Sequence, residues 1–165
     1  MLSLQSGHGM RLEELLDLSS IDADLHVASK EDVLAAVARL LSARASSVGC
    51  RVSVEDVYRV LEAREAQQST GVGRGVAIPH ARLKTIDRFV GALAIHKEGV
   101  AFDAIDGMPV SIFFALLGPE EFPVEHLKCL ARIGRLLRDQ NIRQRLQQAE
   151  SAVDALSIIR EADAD

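Results

Sequence analysis

Cysteine is scarce in this chain, and its two occurrences, Cys50 and Cys129, share no motif. A disulfide framework or a thiolate metal site needs paired spacings, so both read as small buried or half-buried side chains. The five histidines show no ligand spacing with cysteine either, and no metal or other cofactor is expected. No apolar run approaches the ~18 residues that span a bilayer. Met1 to Met10 lacks a charged start followed by an apolar block, so no signal peptide is read there and a cytoplasmic protein is expected. A positive excess is also missing. The formal net charge is −5, which argues against broad electrostatic binding to nucleic acid or anionic membrane. No repeat, low-complexity segment or linker is visible.

What remains is an ordinary globular balance, 48% hydrophobic and 26% charged over 165 residues. One domain of that size buries about 70% of its unfolded surface. Its most informative stretch is Ser69-Thr70-Gly71-Val72-Gly73-Arg74-Gly75-Val76-Ala77-Ile78-Pro79-His80-Ala81-Arg82. Glycine lets the backbone take left-handed angles and approach another group closely. Val76 to Ile78 predicts a short strand bounded by turn residues. Pro79 fixes its own φ and holds Ile78 extended, so His80 is presented at a stiff strand end. A neutral imidazole there is a nucleophile near neutral pH. Bare loop amides and the flanking Arg74 and Arg82 suit a dianion such as phosphate. A Walker loop is excluded, because no Gly-Lys-Ser/Thr is present. The Gly-x-Gly-x-Gly spacing and the loop-to-strand order also exclude the dinucleotide fingerprint.

Hydrophobic periodicity arranges the other elements. Leu12 to Leu16 predicts a short helix, and the alternating Ile21, Ala23, Leu25 and Val27 predict a half-buried strand. Ser29 opens a helix with Val33, Leu34, Val37, Leu40 and Leu41 on one face, and Ala45 to Gly49 reads as a loop. Ser53 caps a helix ending near Glu65, with Val57, Val60 and Leu61 inward. Arg64 lies at its C-terminal end, where a cation compensates the helix dipole. Phe89 to Ile95 carries apolar residues on both faces and predicts a central strand ended by a surface His96. Asp103 and Asp106 read as turn chemistry before Gly107 rather than as a carboxylate pair. Val110 to Leu117 predicts another buried strand, stopped by Gly118-Pro119. Pro123 enters a long helix to about Arg138. His126 lies near its start, and Leu127, Leu130, Ile133, Leu136 and Leu137 are expected to face the sheet. Asn141 to Gln148 and a Ser151-capped helix carrying Val153, Leu156 and Ile159 complete the chain. The fold class is α/β: a single domain over residues 11–160, a mixed β-sheet flanked by helices on both faces, after a loose segment at 1–10.

The run from Ser69 to His80 resembles the phosphorylation-site signature of the type-2 EIIA domains of the bacterial phosphotransferase system. That family includes fructose and mannitol IIA domains and nitrogen-regulatory IIA proteins. The resemblance extends to Ala101–Gly107, Phe113–Leu117 and Glu125-His126-Leu127, nearly the whole chain. It implies that His80 is the phosphorylated nucleophile, reacting through Nε2, and that His126 supports the phosphoryl oxygens. It also implies that Arg64 helps hold the group, with Thr70, Gly71, Val72 and Gly73 as the phosphate-binding loop. Arg74 departs from the small or polar residue expected at its position and is left outside the core site. The layout looks most like the nitrogen-regulatory branch. That implies an HPr-type phosphocarrier as donor and kinases or potassium transporters as regulated partners. Two alternatives stay open: a sugar-specific component passing phosphate to a separate IIB protein, and a binding module without transfer.

Overall fold

The computed structural model describes residues 10–164. The loose start read at positions 1–10 lies outside them except for Met10. The sheet has six strands: β1 (Ile21–Asp22), β2 (Gly71–Gly73), β3 (Val76–Ala77), β4 (His80–Leu83), β5 (Val90–Val100) and β6 (Val110–Pro119). Their order is β1-β5-β6-β3-β2, and β4 also pairs with β6. The sheet is mixed. β5 and β6 run antiparallel, whereas β3 and β4 both lie parallel to β6.

Helices cover both faces. Helices α1 (Lys30–Ser47) and α2 (Val54–Gln67) close one core with Val90, Ala92, Ala94, Phe113 and Ala115. Helices α3 (Pro123–Leu137), α4 (Gln140–Gln147) and α5 (Ala152–Ala162) close the other with Leu93, Ile95, Phe114 and Leu116. Alternate residues of one strand thus enter opposite cores. The two faces expected for Phe89–Ile95 are the two observed. No helix among the described residues is long and apolar enough to cross a membrane.

Several elements differ from the sequence reading, each for a local reason. The first strand is only two residues long. The Asp24 amide donates to Asp22 Oδ1 at 2.9 Å, an Asx turn that pulls the chain off the ladder, and the Leu25 amide returns to Ile95 O at 2.8 Å. The expected loop at Ala45–Gly49 is mostly helix. Alanine is a strong helix former, and the stop comes at Gly49 (φ 84°), with the Cys50 amide reaching back to Ala45 O. His96 does not end β5, and it is half-buried rather than on the surface. Its Nε2–H donates to Val27 O at 2.8 Å while Nδ1 accepts from the Gly99 amide at 3.0 Å. On α3 the buried stripe runs through His126, Cys129, Ile133, Leu136 and Leu137, which leaves Leu127 66% exposed. Val153 is likewise 62% exposed, because the inward face of α5 is Ala155, Leu156, Ile158 and Ile159.

The glycine-rich stretch shapes the edge of the sheet beside α2. β2 and β3 form a hairpin across Arg74-Gly75, with Arg74 at φ 59°. Beyond β3, Val76 faces Ile112 and His80 faces Leu116, so the parallel register is unchanged across Ile78-Pro79. Proline removes one N–H from the ladder but leaves its carbonyl, which accepts from the Leu116 amide at 2.9 Å. The stretch is a single strand with a notch in it, and β4 is an open edge.

Burial separates two residues that look alike in sequence. Truncating fully buried Leu93 to alanine is expected to cost about 2–5 kcal/mol. Val153→Ala is expected to change stability by no more than about 0.5 kcal/mol. Urea denaturation of both variants, read at the midpoint with unchanged slope, checks the difference.

Candidate functional site

His80 opens β4, and its ring is half-buried. Its Nδ1 lies 2.8 Å from Ile78 O. A carbonyl only accepts, so the proton sits on Nδ1 and the Nε2 lone pair is left free. The contact is local in sequence, and it exists because Pro79 holds Ile78 extended and turns its carbonyl toward the ring. Burial pushes the His80 pKa below its ordinary value. The Ile78 carbonyl opposes that shift, the Arg64 charge adds to it, and the Glu65 charge opposes it.

His126, on the first turns of α3, stands opposite. The two ring centroids are 5.7 Å apart and tilted by 54°. His126 is 5% exposed, and its pKa is lowered to about 4 by burial first and then by His80 and Arg82. Its Nδ1 is buried without a hydrogen-bond partner. The ring is seated by Gly118 and Phe89. A Cβ on Gly118 would lie 2.5 Å from the Phe89 ring and 2.9 Å from His126 Nδ1, so no larger residue fits while the rings stay put.

Arg64 closes the third side. Its Nη1 donates to Gln68 O at 2.9 Å at the end of α2. It therefore satisfies a helix-end carbonyl and faces the histidines at once. These residues line an open cleft of about 770 Å³ over the β4 edge, between α2 and α3. Arg82, Leu127 and Leu130 also line it, so the leucines expected to face the sheet sit partly in its wall.

The structure brings His80, His126 and Arg64 together but not the loop amides. The Thr70 amide is taken by the Glu65 carboxylate at 3.0 and 3.1 Å, and the Gly71 amide by Ser69 Oγ at 3.1 Å. Val72 and Gly73 line a separate depression with Leu130, Ala131 and Gly134. Of the four residues read as a phosphate-binding loop, Thr70 and Gly71 thus have their amides bonded inside the fold. Arg74 lies outside the cleft, its amide bound to Asp106 Oδ2 at 2.9 Å. Asp106 also accepts from the Met108 amide, and Asp103 pairs with Lys30, so neither carboxylate belongs to the site.

Two contributors escaped the sequence. Gly118 reads as a strand stop, although a glycine inside a strand pattern signals a close approach. Glu65 leaves no signal, because an Arg-Glu pair near a helix end reads as surface.

Residues 14–162 match the family model described as "Phosphoenolpyruvate-dependent sugar phosphotransferase system, EIIA 2". The chain is 37% identical over 150 residues to a "Nitrogen regulatory protein" of Bradyrhizobium diazoefficiens, covering 91% of this chain and 95% of that one. It is 32% identical over 154 residues to the "PTS system fructose-specific EIIABC component" of Bacillus subtilis, covering 93% of this chain and 24% of that protein. The crystal structure of the nitrogen regulatory protein IIA-Ntr from Neisseria meningitidis superposes with a TM-score of 0.81 at 39% identity. That match covers 89% of this chain and 97% of the other.

Both histidines resist protonation in the fold, which fixes the sign of a pH effect. Below the ordinary histidine pKa of about 6.5 the unfolded chain binds protons that the folded site refuses. Stability therefore falls as pH drops from about 6.5 toward about 4, and His126 stops contributing below that. Urea unfolding across this window should show a shallower fall for His126→Gln than for the parent. Gly118→Ala should lose about 1–3 kcal/mol through overpacking and shift the His126 ring resonances.

Proposed function

The chain belongs to the type-2 EIIA family of the phosphoenolpyruvate-dependent sugar phosphotransferase system, and from that membership we propose that it is a phosphocarrier charged on His80. The donor is a histidine-phosphorylated protein of the HPr type. The observation that carries the reading is the Nδ1–H bond to Ile78 O, which leaves Nε2 as a free nucleophile in an open cleft.

Transfer follows from that geometry. The His80 Nε2 lone pair forms the new P–N bond as the donor's P–N bond breaks in line, and the donor imidazole leaves with the bonding pair. Nδ1 keeps its proton, and the Ile78 carbonyl stabilises the ring as it takes up positive charge. Arg64 meets the phosphoryl oxygens from α2. His126 meets them from α3 through Nε2–H, the tautomer favoured when buried Nδ1 has no acceptor. A hydrogen bond to a charged group contributes about 1.5–3 kcal/mol. The loose transition state asks the protein for position and charge, and these groups offer both.

The phosphoryl group then passes to an acceptor or stays as a signal. The nitrogen-regulatory relatives favour the second role, with kinases or potassium transporters as partners that distinguish the two states. The fructose-specific relative, named as an EIIABC component, supports the other reading, a sugar-branch IIA unit, which in this chain would deliver to a separate IIB protein.

Incubation with phosphoenolpyruvate, enzyme I and an HPr-type carrier should place acid-labile phosphate on His80. His80→Ala should abolish labelling, while His126→Ala and Arg64→Ala should slow it about ten- to a hundredfold. Labelling that survives in His80→Ala would overturn the assignment, and a parent protein that never labels would point to a binding module. Pull-downs with unmodified and phosphorylated protein should recover different partner sets if the charge is a signal, and a IIB protein that accepts the label would establish the sugar branch.

A further inference from the structure

The buried carboxylate of Glu65 lies outside the transfer chemistry, yet it is the most heavily bonded acidic group near the nucleophile. Its side chain is 4% exposed and pairs with Lys30 Nζ at 3.0 Å. It also accepts from the Thr70 amide at 3.0 and 3.1 Å and from Thr70 Oγ1 at 2.5 Å. Lys30 in turn lies 4.9 Å from the centre of the Phe102 ring, and its side chain is 18% exposed. A buried charge with this many partners is costly to place and strongly held once placed.

The bonds continue inward from Thr70. Thr70 O accepts from the Ile78 amide at 3.0 Å, and Ile78 O accepts from His80 Nδ1–H at 2.8 Å. We propose that the Lys30–Glu65 pair is a positioning device for the nucleophile: it anchors Thr70, Thr70 anchors Ile78, and Ile78 sets the tautomer and orientation of His80. The reading rests on His80 being the phosphorylated residue. Each link has a separate purpose. β2 is Gly71-Val72-Gly73 with Val72 exposed, and it pairs only with the two-residue β3, so little side-chain packing fixes its position at the sheet edge. A charge-assisted clamp from α2 supplies that rigidity. Helix α1 delivers Lys30 and helix α2 delivers Glu65, so both helices on that face bear on one carbonyl.

Glu65→Gln keeps the shape, loses the charge and replaces one of the two acceptor oxygens with an NH2 donor. It should leave the core strands β5 and β6 as protected from hydrogen exchange as in the parent. The Thr70 and Ile78 amides should exchange about tenfold faster. In ¹⁵N spectra the His80 ring should pass from a nearly pure Nδ1–H tautomer to a mixture of both, and transfer should slow about tenfold. Arg64→Ala is the contrast: it should slow transfer and leave the tautomer unchanged. Thr70→Val, which keeps the amide but loses the hydroxyl, should give a smaller effect in the same direction, and it serves if Glu65→Gln does not fold. An unchanged tautomer and unchanged Ile78 exchange in the folded variant would overturn the proposal. These two readouts need no phosphoryl donor, so a failure to label His80 would count against the transfer reading and not against the linkage.

Discussion

The hydrogen bond from His80 Nδ1–H to the Ile78 carbonyl is the contact on which the site depends. It decides which nitrogen is nucleophilic, and it does so between residues only two apart. Such a short loop closes in one way here. Pro79 lacks an N–H and keeps only its carbonyl in the ladder, and it holds Ile78 extended so that the Ile78 carbonyl turns to the ring. The strand does not slip, because Val76–Ala77 and His80–Leu83 hold the same parallel register on β6. The sheet carries the notch, and the notch carries the imidazole.

Electrostatics completes the arrangement. Burial depresses both imidazoles, and the neighbouring His80 adds to the depression of His126. The cleft thus holds two neutral rings and two fixed cations, Arg64 and Arg82. A guanidinium keeps its proton under all ordinary conditions. Introducing a dianion would reverse the balance, since nearby negative charge favours protonated imidazole. The pair of rings is suited to a group that arrives charged, and it does not supply a standing charge of its own.

Much of this architecture is legible in the chain itself. The two-faced strands, the capping serines and the Gly/Pro stretch are local patterns, and each appears where the residues place it. The resemblance points to His80 and His126, and the fold sets their rings opposite each other. The failures share a cause. Asp22 closing on Asp24, Gly118 admitting two rings and Glu65 occupying the Thr70 amide are all decided by partners, and a single sequence does not show partners. The Thr70 amide is the clearest case: it looks free because nothing in the chain announces that a buried glutamate has claimed it.

That claim bears on how a small fold can keep a reactive group steady at an exposed edge. An edge strand lacks a neighbour on one side, and two- to four-residue strands are weak by themselves. β4 has α2 beside it and the open cleft beyond, so a partner protein can reach His80 only because no further strand covers it. Access and rigidity therefore oppose each other. The structure resolves the opposition by stiffening the hairpin from behind, through α1 and α2 and the carboxylate they bury, while the front stays uncovered. The exposed Leu127 and Val124 at the start of α3 belong to that uncovered front. Apolar side chains there favour contact with a protein surface, and a phosphoryl dianion on His80 would add up to about two negative charges beside them. An edge open to a partner would thereby change character once His80 carried that group.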